Sequence, residues 1–518
     1  MNSFYPISKK FLFIIFFIYL ASFKISAQDS LYLVGTITGE SNERRITDVK
    51  GVGDINGDGY DDFMVSERTG KLVKDEGIVK LYLGSEALDL IPDLIFHYPG
   101  ADNLNDFGTA SGIGDINNDG YDDFAISGIF GDWGTIKGKV FIYYGGETID
   151  TIPVAEFNEP WIEDSFGKTY AVGDINKDGY DDFIITSTYN WTDARGRAYL
   201  FWGGDTISWE RCSTFTSDSP EDLFGGSVAN IGDINKDGFD DIAISAMERT
   251  SLVDTAKVYI YYGGNPMDNI SDTILVSGNA ADGFGRIIKN AGDLNKDNIV
   301  DFCIMNYDSI YIYLSGIDRI LKLLGYSLDS GGDINNDAYQ DLIVGNNWEI
   351  EILFGEKEFN TSDLLIIKPQ DSLGFSGNIS FAGDLNNDEY DEVFAHSINW
   401  PEIESPLGKV YIYSYKKITD IKDFKGNIPS NFGLFQNYPN PFNPATNIQF
   451  ILNNREFVTL KIFDVLGKEI ATLINEEKAA GKYEIKFDAS KFRLSSGVYF
   501  YQLKTYEGGI YKKMVLLR

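Results

Sequence analysis

The stretch Asp54-Ile-Asn-Gly-Asp-Gly-Tyr-Asp-Asp62 decides the fold, because six further copies of it follow along the chain. Oxygen-bearing side chains stand at positions 1, 3, 5 and 9 of every copy, and Gly59 stands at position 6 of the first. Alternating oxygen donors around a residue that tolerates the left-handed backbone are typical of a loop that wraps a calcium ion. We therefore interpret the copies as candidate calcium loops, numbered 1 to 7 in chain order.

The loops recur at intervals of 40 to 61 residues, which indicates an array of repeated units rather than seven unrelated sites. The predicted metal ligands stand at positions 1, 3, 5, 7 and 9 of each loop. They are Asp54, Asn56, Asp58, Tyr60, Asp62, Asp115, Asn117, Asp119, Tyr121, Asp123, Asp174, Asn176, Asp178, Tyr180, Asp182, Asp233, Asn235, Asp237, Phe239, Asp241, Asp293, Asn295, Asp297, Ile299, Asp301, Asp333, Asn335, Asp337, Tyr339, Asp341, Asp384, Asn386, Asp388, Tyr390 and Glu392. The acids at position 8 are interpreted as supporting groups rather than ligands: Asp61, Asp122, Asp181, Asp240 and Asp391.

The residues after each loop predict β-strands. An EF-hand would place Glu at position 12 and continue as a helix, but position 12 here is Val, Ile or Ala in every loop. Short apolar runs such as Phe63-Met-Val-Ser66 follow instead, and their β-branched content suits a buried strand. Each loop is therefore expected to join two strands.

A third strand follows later in each unit, for example Lys257-Val-Tyr-Ile-Tyr-Tyr262, and a Gly-Gly turn usually leads from it to a fourth. Four strands in each of seven units predict an all-β fold with a seven-bladed β-propeller over residues 28–415. The segment Asp29-Ser-Leu-Tyr-Leu-Val-Gly35 resembles a fourth strand but precedes the first loop. We expect it to pair with the last blade and close the ring, which removes two exposed edges.

Phe-Gly pairs shortly before four of the loops carry a family resemblance: Phe107-Gly108, Phe166-Gly167, Phe224-Gly225 and Phe284-Gly285. They resemble the FG-GAP repeats of integrin alpha-subunit propellers. This resemblance implies calcium in the hairpins between strands 1 and 2 of each blade, and extracellular ligand binding on the opposite face. The sixth unit departs from the pattern with Leu324-Gly325 and the seventh with Phe375-Ser376, while the first lacks the pair.

The later loops also depart from the pattern at position 6. Loops 1 to 4 carry Gly there, Asn298 in loop 5 tolerates the left-handed conformation, and Ala338 and Glu389 in loops 6 and 7 are expected to strain it. Glu392 replaces Asp at position 9 of loop 7, so that loop must rearrange or bind weakly. The cofactor prediction is thus Ca²⁺ at up to seven sites, with loops 1 to 4 complete.

The N-terminus predicts export. Lys9 and Lys10 precede an apolar run over residues 11–23, and Ala27 offers a cleavage site, so residues 1–27 are interpreted as a signal peptide. The alternative is that this segment stays uncleaved and anchors the protein in the membrane. No later stretch reaches the roughly 20 apolar residues of a membrane helix, so no transmembrane segment is expected in the mature chain. The formal net charge of −34 argues against nucleic acid and anionic lipid as partners.

Residues 416–430 are interpreted as a linker, and residues 431–518 as a small C-terminal β-sandwich. Its motifs are Asn437-Tyr-Pro-Asn-Pro-Phe-Asn-Pro444, Leu460-Lys-Ile-Phe-Asp-Val-Leu-Gly467, Leu494-Ser-Ser-Gly-Val-Tyr-Phe500 and Lys513-Met-Val-Leu-Leu-Arg518. They resemble the type A C-terminal sorting domain of type IX secretion. The resemblance implies the type IX machinery as partner and placement at the outer surface of a Gram-negative bacterium, or release from it. The alternative is a generic adhesive sandwich.

Enzyme motifs are scarce in this chain. His97 and His396 are its two histidines, and both are expected to be structural. The favoured function is an adhesion or binding module for an extracellular glycan or protein. The alternatives are a calcium-dependent polysaccharide lyase or glycosidase on the same ring, and a purely structural surface-layer protein. Candidate ligand-face residues, in loops on the side of the ring away from the calcium loops, are Trp133, Trp161, Trp191 and Trp400.

Overall fold

The computed structural model describes most of the chain beyond residue 29. The described residues are 30–39, 44–69, 77–86, 88–99, 106–130, 137–158, 164–190, 196–217, 222–248, 256–277, 283–317, 319–346, 349–361, 364–367, 378–397, 408–416, 433–435, 437–452, 456–464, 468–478, 481–492, 494–504 and 509–517. The predicted signal peptide, nearly all of the predicted linker and the four candidate ligand-face tryptophans lie outside them.

Between residues 30 and 416 the described strands form seven four-stranded antiparallel sheets, numbered here in chain order. The chain starts with β1 (Ser30–Thr38). Sheet 1 contains β2 (Arg44–Gly53), β3 (Asp62–Thr69), β4 (Ile78–Tyr82) and β5 (Leu94–His97). Sheet 2 contains β6 (Asp106–Gly114), β7 (Asp123–Phe130), β8 (Lys137–Tyr143) and β9 (Ala155–Asn158). Sheet 3 contains β10 (Asp164–Gly173), β11 (Asp182–Asn190), β12 (Arg197–Phe201) and β13 (Cys212–Thr216).

The remaining sheets of this part repeat the same order. Sheet 4 contains β14 (Asp222–Gly232), β15 (Asp241–Glu248), β16 (Lys257–Tyr261) and β17 (Thr273–Val276). Sheet 5 contains β18 (Ile287–Gly292), β19 (Asp301–Met305), β20 (Ser309–Leu314) and β21 (Arg319–Leu324). Sheet 6 contains β22 (Ser327–Gly332), β23 (Asp341–Asn346), β24 (Glu349–Leu353) and β25 (Leu364–Ile367). Sheet 7 contains β26 (Asn378–Gly383), β27 (Glu392–Ser397) and β28 (Lys409–Lys416), and β1 completes it.

The first strands of the sheets form the inner wall of a ring. Each of them contacts the first strand of the next sheet, and β2 contacts both β6 and β26. The outer strand of sheet 7 is β1, which pairs antiparallel with β28, so that Ser30 lies opposite Lys416. This arrangement of antiparallel sheets around an axis is a β-propeller, and the all-β class predicted from the sequence is confirmed.

The hydrophobic core lies between neighbouring sheets rather than inside one of them. One cluster joins sheets 1 and 2 through side chains such as Met64 and Phe124. Another joins sheets 7 and 1, where the rings of Phe394 and Phe63 lie 5.0 Å apart. Because the middle strands are covered on both faces, they read as continuous apolar runs: every residue of β4 is buried. The Phe of the Phe-Gly pair, such as Phe107, is fully buried in the same layer.

The C-terminal part consists of two antiparallel sheets that share one hydrophobic core. One sheet contains β29 (Gly433–Leu434), β30 (Ala445–Leu452) and β33 (Gly481–Asp488). The other contains β31 (Glu456–Phe463), β32 (Glu469–Lys478), β34 (Gly497–Lys504) and β35 (Gly509–Leu516). The predicted C-terminal β domain is therefore confirmed. β32 is hard to recognise in the sequence, because its Glu, Ala and Lys residues are poor strand formers.

Helix is almost absent from the described residues, which contain two short 3₁₀ helices, Trp209–Arg211 and Ala489–Phe492. In the part of the chain that the structure describes, no helix is long and apolar enough to cross a membrane.

Candidate functional site: seven acidic loops on one face of the ring

Loop 1 wraps around the carboxylate of its first residue. Oδ1 of Asp54 accepts the backbone N–H groups of Gly57 at 2.7 Å and Asp58 at 3.1 Å. Oδ2 of Asp54 accepts the N–H of Gly59 at 2.8 Å. A short side chain that binds nearby backbone N–H groups is the usual way for Asp to fold a turn. Position 1 is therefore the organising residue of the loop.

All seven loops repeat this contact. The distance from the N–H of position 6 to Oδ2 of position 1 is 2.7–2.8 Å in each of them. Loop 7 thus keeps the backbone of loop 1 although it carries Glu389 at position 6. The regular backbone shows that the seven sequence copies fold as one structural motif.

Position 6 adopts the left-handed conformation in every loop, as the sequence predicts. Its φ is +89° at Gly59, +66° at Asn298, +65° at Ala338 and +71° at Glu389. Because side chains other than Gly disfavour this region, the last two residues carry backbone strain. Position 4 is left-handed as well, and lysine occupies it in loops 3, 4 and 5, for example Lys177 with φ of +55°. The sequence gives no sign of this second left-handed residue.

The carboxylate at position 9 is fully buried in all seven loops. In loop 1, Oδ2 of Asp62 accepts the N–H of Ile55 at 3.0 Å, and Oδ1 accepts the N–H of Gly84 at 2.7 Å. Burial raises the pKa of Asp62 to about 7 and the pKa of Asp123 to about 8. In loop 3, Oδ2 of Asp182 is buried without a hydrogen-bond partner. A buried carboxylate of this kind is costly unless a cation or a proton compensates it.

The Gly-Gly turns belong to the loops, which the sequence analysis missed when it interpreted them only as hairpin turns. Gly145 donates its N–H to Oδ1 of Asp123 at 2.8 Å. Its partner Gly146 donates to the carbonyl of Ile55, in loop 1 of the preceding sheet, at 2.8 Å. A Cβ on Gly145 would lie 2.4 Å from the carbonyl oxygen of Asp122, so only Gly fits. The signal available in the sequence was the Gly-Gly pair that follows each of loops 2, 3 and 4, with Gly84-Ser85 at the same place after loop 1.

Loop 7 rearranges around its longer acid, as its sequence predicts. In loops 1 to 4 and 6, the side-chain amide at position 3 donates to the carboxylate at position 5, as from Asn56 to Asp58 at 3.0 Å. In loop 7, the amide of Asn386 donates to Oε1 of Glu392 at 2.7 Å. Oε2 of Glu392 accepts the N–H of Leu385 at 2.8 Å, so both oxygens of Glu392 are used within the loop.

The acids at position 8 lie between sheets. Oδ2 of Asp122 in loop 2 accepts the N–H of Asp54 in loop 1 at 3.0 Å, and the N–H of Asp122 donates to the carbonyl of Asp54 at 3.3 Å. This geometry agrees with their interpretation as supporting groups and adds the partner that sequence could not name.

The donor types suit a hard cation: carboxylate and amide oxygens alternate around a backbone that turns through two left-handed residues. Among the described residues, however, no three acidic, histidine or cysteine side chains converge on one point. The carboxylates at positions 1 and 5 are occupied by N–H groups of the loop itself. In loop 1, Oδ1 of Asp54 already accepts two N–H groups. Oδ2 of Asp54 and both oxygens of Asp58 accept one hydrogen bond each, so each of these three oxygens keeps a second lone pair for a cation.

The C-terminal part has its own organising motif. The segment that starts at Asn437 packs against the last strand: Oδ1 of Asn440 accepts the N–H of Val515 at 2.8 Å. The N–H of Phe442 donates to the carbonyl of Val515 at 2.9 Å, and the hydroxyl of Tyr501 accepts the N–H of Asn437 at 2.8 Å. The Asn- and Pro-rich segment therefore joins the two ends of this domain.

Comparison with known families identifies both parts of the chain. Residues 436–517 match the family described as the secretion system C-terminal sorting domain, and residues 224–261 match the FG-GAP repeat. The chain thus combines an FG-GAP propeller with a secretion sorting tail.

Individual relatives of the chain agree with the FG-GAP match, because they are integrin alpha subunits. Integrin alpha-7 of Mus musculus is 27% identical over 241 residues, which cover 45% of this chain and 17% of the integrin. Integrin alpha-6 of Homo sapiens is 31% identical over 169 residues, which cover 32% of this chain and 14% of the integrin. The chain therefore spans less than a fifth of the length of these relatives.

Among solved structures, PorZ of Porphyromonas gingivalis is described as an essential bacterial surface component of the type-IX secretion system. The match covers 88% of this chain and 58% of PorZ, with 13% identity and a TM-score of 0.37. A TM-score of this size does not establish a shared fold.

Proposed function

We propose that this protein is a secreted or cell-surface propeller, stabilised by calcium in its loops, that binds an extracellular glycan or protein. Type IX secretion exports it through the C-terminal domain. The match of residues 436–517 to a secretion sorting domain supports the route. The match of residues 224–261 to the FG-GAP repeat, together with the integrin relatives, supports a role in binding.

The repeated burial of the carboxylate at position 9 carries the calcium part of the proposal. All seven of these groups are buried, and each stands at the start of the second strand of its sheet, directly after the other oxygen donors of its own loop. Burial raises the pKa of these acids, so near neutral pH a calcium ion would compete with protons for them. Calcium titration of the exported chain by isothermal calorimetry tests this part. Saturable binding at millimolar calcium or below supports it, and no heat of binding contradicts it.

The ligand part requires a direct binding screen. The exported protein is applied to arrays of bacterial and host glycans and of matrix proteins, with calcium and with a chelator. We expect capture of one ligand class that weakens when calcium is removed. Release of new reducing ends or unsaturated products from a captured polysaccharide would favour the lyase or glycosidase alternative. Capture of no ligand under either condition would favour a purely structural surface-layer protein.

A further inference from the structure

Four of the position 8 aspartates make the same two-point contact across a sheet junction. The carboxylate accepts the N–H of position 1 in the loop of the preceding sheet, and the backbone N–H donates to the carbonyl of that residue. The pairs are Asp122 with Asp54, Asp181 with Asp115, Asp391 with Asp333, and Asp61 with Asp384. Position 1 is the residue around which each loop wraps, so the contact holds the organising residue of the neighbouring loop.

The backbone beside the contact is shaped to admit the neighbouring carboxylate. Gly53 precedes loop 1 with φ of +79°, and a Cβ at this position would lie 2.0 Å from Oδ2 of Asp122. Gly114 and Gly383 show the same relationship to Asp181 and Asp61, at 2.2 Å and 2.1 Å. No side chain fits in these places. At these three junctions, the glycine before the loop makes room for the aspartate at position 8 of the next loop. At the fourth junction, Gly332 makes room for the ring of Phe381 instead.

The other three junctions lack this contact. Val300 and Gln340 occupy position 8 in loops 5 and 6. Oδ2 of Asp240 in loop 4 accepts the side-chain amide of Asn230 at 3.1 Å. At the junction of sheets 5 and 6, the loops meet through Lys296, whose Nζ lies 4.0 Å from the ring centroid of Tyr339. The aspartate contacts thus link sheets 6, 7, 1, 2 and 3 in one continuous arc.

We propose that the position 8 aspartate is a positioning residue that couples cation binding between neighbouring loops of this arc. The inference rests on the cation binding proposed above. Position 8 stands between the predicted ligands at positions 7 and 9. A cation that orders this segment also fixes the carboxylate that holds position 1 of the preceding loop. Binding in loop 2 therefore favours binding in loop 1, and each is weakened when the other is empty.

Hydrogen–deuterium exchange of the exported full chain, titrated with calcium chloride, tests the coupling loop by loop. In Asp122→Ala we expect the amides of loop 1 to exchange roughly tenfold faster, the size of one lost charge-assisted hydrogen bond. Protection of loop 1 should then also require several-fold more calcium than in the wild type. Asp122→Asn keeps an acceptor oxygen and should restore part of the protection.

Asp240→Ala is the matched control, because it removes an acid from the same loop position where the carboxylate binds Asn230 instead. It should affect loop 3 much less than Asp122→Ala affects loop 1, because Asp240 reaches that junction only through Asn230, whose amide donates to the carbonyl of Val172 at 2.7 Å. The coupling is wrong if loop 1 of Asp122→Ala shows the same calcium-dependent protection as the wild type and only loop 2 changes. This outcome leaves the proposed cation binding intact. If calcium protects no loop of the wild type, the proposed cation binding fails, and the coupling fails with it.

Discussion

Oδ2 of Asp61 accepts the backbone N–H of Asp384 at 2.8 Å, although the two residues stand 323 positions apart in the chain. The N–H of Asp61 returns a bond to the carbonyl of Asp384 at 3.1 Å. This pair lies where sheet 1 meets sheet 7, the junction at which the rings of Phe63 and Phe394 also pack together. The junction that closes the ring is therefore built from the same contact as three internal junctions.

Removing this contact should loosen the closure of the ring. We expect Asp61→Ala to lower the free energy of unfolding by about 1 to 3 kcal/mol, since a half-buried N–H loses a charged acceptor. Thermal unfolding at fixed calcium measures the effect, with Asp240→Ala as the control for loss of one acid from a loop. Equal thermal unfolding midpoints for Asp61→Ala and Asp240→Ala would show that the contact at the closure adds no more stability than any other acid of a loop.

Chelation should destabilise the propeller, because each empty loop leaves several carboxylates close together without a compensating cation. At affinities typical of extracellular sites, each occupied loop adds roughly 1 kcal/mol at millimolar calcium. Scanning calorimetry with calcium and with a chelator measures the shift, and an unchanged melting temperature would contradict the prediction. Asp58→Ala and Asp237→Ala should each reduce the calcium effect, whereas Asp388→Ala in the rearranged loop 7 should matter less.

The left-handed conformation at position 6 gives a reciprocal pair of substitutions. Ala338→Gly should raise the stability of the ring by about 0.5 to 1 kcal/mol, because Gly relieves a φ of +65°. Gly59→Ala should lower it by about 1 kcal/mol through backbone strain alone, since a Cβ there meets no atom within 4 Å. Glu389→Gly tests backbone strain less directly, because it also removes a hydrogen bond: Glu389 accepts the side-chain amide of Asn336 at 3.0 Å. Urea unfolding midpoints at saturating calcium check the pair; shifts of the same sign would refute the strain argument.

His396 should make the propeller less stable in acid. It is fully buried in β27, and burial lowers its pKa from 6.5 to about 4. In the unfolded chain, His396 binds a proton below about pH 6.5. In the folded chain, His396 stays neutral until the pH falls to about 4. The contribution of His396 to stability is therefore complete above pH 6.5 and falls toward pH 4, by up to about 3 kcal/mol. The raised pKa of the position 9 acids acts in the opposite direction, so the effect of His396 is read from the difference between variants.

The chain has only two histidines, so the source of this acid sensitivity can be isolated. His396→Asn should flatten the dependence of the unfolding midpoint on pH between 6.5 and 4, measured at saturating calcium. The control His97→Asn changes an exposed residue of β5 and should leave the dependence as it is. A His396→Asn profile parallel to the wild type would assign the acid sensitivity to other groups.

The tryptophans assigned to the ligand face from the sequence can be tested by substitution. Trp133→Ala and Trp191→Ala should each reduce capture of the ligand found in the binding screen, because aromatic side chains contribute most to such surfaces. Thermal unfolding of the same variants separates binding from folding. Lower stability with unchanged capture per folded molecule would assign both residues to packing.

The C-terminal domain should direct export and take no part in binding. A chain that ends near Ser430 should fold and keep ligand capture but accumulate in the periplasm. Cell fractionation with immunoblotting measures its location, with the full chain as the control. Normal amounts of the shortened chain on the cell surface would contradict the sorting role.

The sequence predicts the parts of this structure that depend on local chemistry repeated many times. Oxygen donors at alternate positions and Gly at position 6 identify the loops, and the apolar runs after them identify buried strands. Asn298, Ala338 and Glu389 could be assigned the left-handed conformation only because Gly occupies that position in the other copies. Repetition supplied information that no single loop contains.

Features that depend on contacts between distant residues could not be predicted. Lys177 has no preference for a positive φ, and its conformation follows from the closed loop around it. The partner of Asp122 lies in another sheet, so its role appears only once the sheets are packed. In the C-terminal part, pairing with β31 overrides the weak strand preference of Glu469–Lys478.

The pairing of Ser30 with Lys416 fixes where the chain enters and leaves the ring. Both ends of the ring leave it at the same corner of sheet 7, where the ring of Tyr415 lies 5.6 Å from the ring of Tyr390 in loop 7. The chain therefore enters and leaves the ring on the side that carries the acidic loops. The side proposed to bind a ligand is the opposite one, so the entry and exit of the chain do not compete with it for space.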